Sequence, residues 1–149
     1  MDAIDRSIVD LLRRSARLSY AELARKVGLS APAVHERVGK LETAGVLRGY
    51  HADVEPHAID LGVTAIIGLV ANASDQTLDD LRAMEEIESC YFMAGDESYL
   101  VKVRVASIDE LEHVIVRLSR IQGVSRTRTM IALSTKWEGR PRPLTSEAS

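Results

Sequence analysis

The stretch SAPAVHERVGKLE, residues 30–42, places groups that bind anions or nucleobase edges on one side of a helix. Val34, Val38 and Leu41 recur at i, i+4 and i+7 and face inward. The outward stripe is then Ala33, His35, Glu36, Arg37 and Lys40. Arg37 and Lys40 suit phosphates or guanine edges, and Glu36 suits the N4 donor of cytosine. Arg48, just beyond, adds a further cation. A charged helix face more often does nothing but solvate its helix, so the elements that carry it must decide.

Those elements are three helices. Ile4, Ile8, Leu11 and Leu12 have helical spacing, with Asp2 and Asp5 at an N-terminus that favours negative charge. SYAE, residues 19–22, is a capping box, followed by the apolar Leu23, Ala24 and Val27 and by Gly28 as a left-handed stop. Ser30 is a preferred N-cap, Pro32 is tolerated in the first turn, and Gly45 closes the third helix. A turn of about three residues between the last two helices is helix-turn-helix geometry, which turns the second helix toward a DNA major groove. VLRGYHADV, residues 46–54, reads as a wing or an outgoing strand.

Charge agrees with a divided chain. The net charge of −3 splits into nine Lys or Arg against seven Asp or Glu in residues 1–54, and ten against fifteen thereafter. A weakly basic front and an acidic back imply two modules with different partners. No apolar run reaches the length of a membrane span, no signal peptide is visible, and lone Cys90 can form no internal disulfide, so a cytoplasmic protein is expected.

Residues 51–60, with Pro56, read as a linker. Beyond them, VTAIIGLVAN (63–72) reads as a strand buried on both faces, and Thr77 as the cap of a helix carrying Leu78, Leu81 and Met84. SCYFM (89–93) is a short strand and GDES (95–98) a turn. In YLVKVRV (99–105), Tyr99, Val101, Val103 and Val105 alternate with Leu100, Lys102 and Arg104. SIDE (107–110) opens a helix with Ile108, Leu111, Val114, Ile115, Leu118 and Ile121 on one face; VSRTRTMIAL (124–133) is the last strand. The order β-α-β-β-α-β is a ferredoxin-like unit with one sheet face bare of helices. Ile66 and Val70, or the opposite register, leave that face partly apolar, which points to dimerisation. Cys90 reads as a core residue, Trp137 as packing on the sheet edge, and EGRPRPLTSEAS as a flexible tail.

In IDRSIVDLL, LARKVGLSAPAVHERVGKLETAGVLRGY, ESCYFMAGDESYLVKVRVAS and GVSRTRTMIAL, in that order and spacing, the chain resembles the Lrp/AsnC (feast/famine) transcription regulators over about residues 2–137. The resemblance implies an α+β protein: a winged helix-turn-helix at 1–50, a linker at 51–60, a ferredoxin-like (RAM-type) effector and dimerisation domain at 61–137, and a flexible tail at 138–149. It implies double-stranded DNA as partner through Ser30, Ala33, His35, Glu36, Arg37, Lys40 and Arg48. It also implies a homodimer, often assembled into an octamer, with an amino-acid effector between subunits and no other cofactor. By motif that effector would meet Gly95, Asp96, Glu97, Ser98, Tyr99, Thr127 and Thr129. Gly95 allows close backbone approach, turn amides suit a carboxylate, and Asp96 or Glu97 suits an ammonium; the same loop also reads as a plain hairpin turn. Two departures stand out. Ser98 replaces an acidic residue common in the family loop, and Gly39 replaces a usual Lys or Arg at a cost of about 0.5–1 kcal/mol in a helix interior.

Two other readings compete: an architectural DNA-binding protein without an effector, and an enzyme resembling the sirohaem decarboxylases. His35, His51, His57 and His113 have no metal-ligand spacing, and no CxxC, GxSxG, P-loop or dinucleotide fingerprint occurs. No catalytic constellation and no metal site are therefore expected.

Overall fold

The computed structural model describes residues 1–142 and 144. The chain forms two units, Met1–Asp53 with the segment from Trp137 onward, and Val54–Lys136.

The first unit contains helices α1 (Ala3–Arg14), α2 (Tyr20–Val27) and α3 (Ala31–Thr43). Each begins at a side-chain cap. Asp2 and Asp5 form a capping box on α1, and Ser19 and Glu22 form one on α2; Ser30 Oγ accepts from the Ala33 N–H on α3. The Ser19 backbone N–H and hydroxyl hold the Glu22 carboxyl below its ordinary range. Gly28 ends α2 at φ 72°, a left-handed turn that L side chains resist, and Ser30 restarts the helix two residues later. Ile8, Leu12, Leu23, Ala24, Val34, Val38 and Leu41 make the core. Ala24, 5% exposed, is buried in this core, and α2 packs on α3.

The expected wing is absent: among the described residues, no strand lies between α3 and residue 63. The chain leaving α3 is tied to it instead. The Val46 and Leu47 amides both donate to the Leu41 carbonyl, Leu47 packs on the core, and Tyr50 Oη donates to Glu42 Oε1 at 2.7 Å. Of the tail expected to be flexible, Pro143 and residues 145–149 lie outside the described residues. Arg13 donates to the Arg142 carbonyl at 2.9 Å, and the Leu144 N–H donates to Asp10 at 3.1 Å. Trp137, expected to be packed, is 70% exposed, with the Arg140 guanidinium over its ring.

The segment read as a linker contains a 3-10 turn, Pro56–Ile59, closed by Asp60 at φ 59°. Then come β1 (Val63–Ala71), α4 (Asp75–Arg82), β2 (Ile87–Phe92), β3 (Tyr99–Val105), α5 (Ile108–Ser119) and β4 (Val124–Ile131). The sheet runs β2-β3-β1-β4 with every pairing antiparallel, so each helical crossover passes one intervening strand. This is the ferredoxin-like arrangement.

Period-2 alternation sorts its side chains. Ala65, Ile67 and Leu69 on β1 and Tyr99, Val101, Val103 and Val105 on β3 pack with Leu81, Met84, Leu111, Val114 and Leu118 from the helix side. β1 is thus not buried equally on both faces: Ile66 and Val70, on the bare face, are only half-buried. Ser74, not Thr77, caps α4, and Thr77 is fully buried with its hydroxyl shared among Ser74, Asn72 and Gln122. Ile108 at the start of α5 is 57% exposed and leaves the expected apolar face to its successors. Cys90 is also exposed, because β2 is an edge strand.

Candidate functional site

Successive α3 side chains are about 100° apart, so burial of Val34, Val38 and Leu41 fixes where all the others point. Glu36, Gly39, Lys40 and Thr43 fall opposite the core, with His35 on one flank and Ala33 and Arg37 on the other. Lys40 Nζ pairs with Glu36 Oε1 at 2.6 Å, with side chains 74% and 68% exposed. The ammonium draws the Glu36 carboxyl below its ordinary range. Water screens a pair this exposed, so either partner is readily lent to an incoming ligand. His35 meets the Tyr20 ring edge-on at 4.8 Å. Ser30 serves as the N-cap, and Arg48 is exposed.

Arg37 departs from the expected outward stripe. Its Nη1 donates to Asp2 Oδ2 at 2.8 Å and to Asp5 Oδ1 at 2.7 Å, drawing the side chain to the first turn of α1. The Asp5 N–H and then the Arg37 guanidinium hold the Asp2 carboxyl below its ordinary range, and the two carboxylates hold Arg37 above its own. In sequence Asp2 and Asp5 are legible only as negative charge at a helix N-terminus, because their partner on α3 lies more than thirty positions away.

The expected effector residues do not form one cluster. Tyr99 is 5% exposed in the helix-side core, its ring 5.4 Å from Phe92. Thr127 and Thr129 stand opposite Leu69 and Ile67 in register, and so share that helix-side face. Glu97 lies on the bare face, where its Cγ would stand 2.6 Å from a Cβ added at Gly68. Its carboxylate pairs at 2.6 Å with Arg128, which stands opposite Gly68 on β4. Arg128 escaped the sequence reading, although the alternation of RTRT places it opposite in facing to the threonines. Ser98 is occupied by the fold: its hydroxyl donates to the Ala71 carbonyl and accepts from the Ala71 N–H. Asp96 is exposed, and Gly95 has open space around it. Among the described residues, no group of His, Cys, Asp or Glu could hold a metal, and no helix is long and apolar enough to cross a membrane.

A tight α2–α3 turn presenting a polar helix face, followed by a four-stranded sheet unit, defines a two-unit helix-turn-helix regulator. Comparison with known proteins agrees. The AsnC-type helix-turn-helix domain matches residues 1–42, and the Lrp/AsnC ligand binding domain matches residues 64–141. The HTH-type transcriptional regulator LrpA of Mycobacterium tuberculosis is 40% identical over 143 residues, covering 94% of this chain and 95% of that protein. The regulatory protein AsnC of Escherichia coli strain K12 is 34% identical over 137 residues, covering 89% and 90%. Among solved structures, a feast or famine regulatory protein from M. tuberculosis, complexed with L-methionine, superposes with a TM-score of 0.89 at 39% identity, over 95% of this chain and 98% of that one. The chain belongs to the Lrp/AsnC family of transcriptional regulators. These relatives are named as regulators, and the decarboxylase reading falls away.

Proposed function

We propose that the protein binds specific double-stranded DNA through α3 and that an amino acid bound by the second unit modulates this binding. The observation that carries the first part is the solvent-facing Glu36–Lys40 pair on the second helix of a tight helix-turn-helix. Exchange of Glu36 for a phosphate as the partner of Lys40 would cost little, and His35, Ala33, Ser30 and Arg48 flank the same approach. The Glu97–Arg128 pair beside the open Gly95 turn supports the second part. A zwitterion carries the matching charges, its ammonium for Glu97 and its carboxylate for Arg128. Asp96 borders the same turn, whereas Ser98, Tyr99, Thr127 and Thr129 act in the scaffold around it. That a relative was crystallised with L-methionine favours this ligand class.

The bare sheet face, with Ile66, Val70, Leu100, Tyr91 and Met130 exposed to differing degrees, supports self-association into a homodimer or a larger ring such as an octamer. A two-fold pair of helix-turn-helix units suits a palindromic site. DNA as partner places the protein in the cytoplasm with the chromosome. Selection of bound duplexes from a random pool, with and without each of the twenty amino acids, tests the proposal. Enrichment of one motif, with at least one amino acid shifting both affinity and thermal midpoint, is the expected result. Binding without sequence preference or amino-acid response would leave the architectural reading in its place.

A further inference from the structure

The Asp2–Asp5 capping box has its two carboxylates divided between two tasks. Asp2 Oδ1 accepts from the Asp5 N–H at 2.8 Å, and Asp5 Oδ2 accepts from the Asp2 N–H at 3.0 Å. The remaining oxygens, Asp2 Oδ2 and Asp5 Oδ1, both face Arg37 Nη1. A cap needs only one acceptor from each side chain, so the second pair of oxygens is surplus to helix initiation. Together they offer a guanidinium the same kind of acceptors that a phosphate would. Two carboxylates against one guanidinium also leave a negative balance on that flank of α3. A cleft of about 520 Å³, lined by Asp5, Ala33, Glu36, Arg37 and Lys40, adjoins the pair and gives the guanidinium room to turn.

We infer that Asp2 and Asp5 act as a resident anion that holds Arg37 away from nucleic-acid phosphate, so that the first turn of α1 limits how tightly α3 binds DNA. The inference rests on the DNA-binding reading above. Arg37 is then a positioning residue in the native chain and a phosphate contact only when the carboxylates are neutralised.

Asparagine separates the two tasks, because its single side-chain oxygen can keep the cap while the second acceptor is lost. Four full-length chains are compared on one selected duplex across a salt series: native, Arg37→Gln, Asp2→Asn/Asp5→Asn, and the triple variant. Each gained phosphate contact steepens the slope of log affinity against log salt by about 0.9. The Asn pair should therefore bind more tightly at low salt and lose about 3.5-fold more affinity than the native chain between roughly 50 and 200 mM salt. Arg37→Gln alone should leave the slope unchanged, and the triple variant should return to the native slope. Circular dichroism checks folding, and Asp2→Asn alone, which spares the half-buried Asp5, should move the slope in the same direction. A slope that flattens by about 0.9 in Arg37→Gln would show Arg37 already on phosphate and overturn the inference. One common slope in all four chains would overturn it too, with DNA binding intact. Failure of the native chain to enrich any duplex would instead bring down the regulator reading, and this inference with it.

Discussion

Replacing Gly39 by Ala should stabilise the first unit. Gly39 lies inside α3 on the side away from Val34, Val38 and Leu41, and a Cβ there would meet nothing within 4 Å. Its backbone is not left-handed, so alanine fits without strain. The gain comes from the unfolded chain, which loses conformational freedom on acquiring a Cβ. Helix propensity puts it at about 0.8 kcal/mol, which for a small domain is a rise of roughly 3–6 °C in Tm. Thermal unfolding followed by circular dichroism at 222 nm reads it, with the midpoint of the helical first unit as the quantity compared. Gly39→Lys supplies the functional arm. It should recover most of the stability gain and also steepen the salt slope of DNA binding by about 0.9, whereas Gly39→Ala should leave that slope alone. An unchanged or lower midpoint in Gly39→Ala would refute the reasoning, since it would mean that this face is packed against protein. A Lys variant with the native slope would remove Gly39 from the DNA side of the helix.

Three further outcomes follow from single side chains. Thr77→Val should destabilise the second unit by about 1–3 kcal/mol in urea unfolding, because it buries an apolar methyl against the Asn72 and Gln122 carbonyls that the hydroxyl now serves. Gly68→Ala should push Glu97 off the sheet and break its pair with Arg128, abolishing any amino-acid-induced thermal shift while the helix-turn-helix unit retains its midpoint. Burial and then the Glu42 hydrogen bond push the Tyr50 hydroxyl up to about 12. A raised folded-state pKa means that the stabilisation is complete below the unfolded value near 10 and is lost as pH rises toward 12. Tyrosinate absorbance should show a late-titrating phenol that Tyr50→Phe removes and Glu42→Gln shifts to lower pH.

Much of the fold could be read in advance because its signals are local. The capping boxes act over three residues, Gly28 needs only its own φ, and the apolar spacing on α3 names its buried face without reference to any neighbour. Alternation in YLVKVRV did the same for β3. Thr77 shows the limit of such rules. Thr77 has the residue type of a cap, but Ser74 holds that place. The Thr77 hydroxyl is buried against the Asn72 and Gln122 carbonyls, which lie fifty positions apart in the chain and meet where β1 and β4 pair.

The amino-acid order alone determined three helices in a tight turn, a βαββαβ unit and the polar outer face of α3, because periodicity and capping operate between neighbours along the chain. Tertiary structure alone decided that Arg37 belongs to Asp2 and Asp5 and that Glu97 meets Arg128 across Gly68. It likewise decided that Tyr99, Thr127 and Thr129 face the helices, away from that pair. Charge partners are set by distance in space, and the face a strand presents is set by its register. Neither quantity is written in the spacing of residues along one segment.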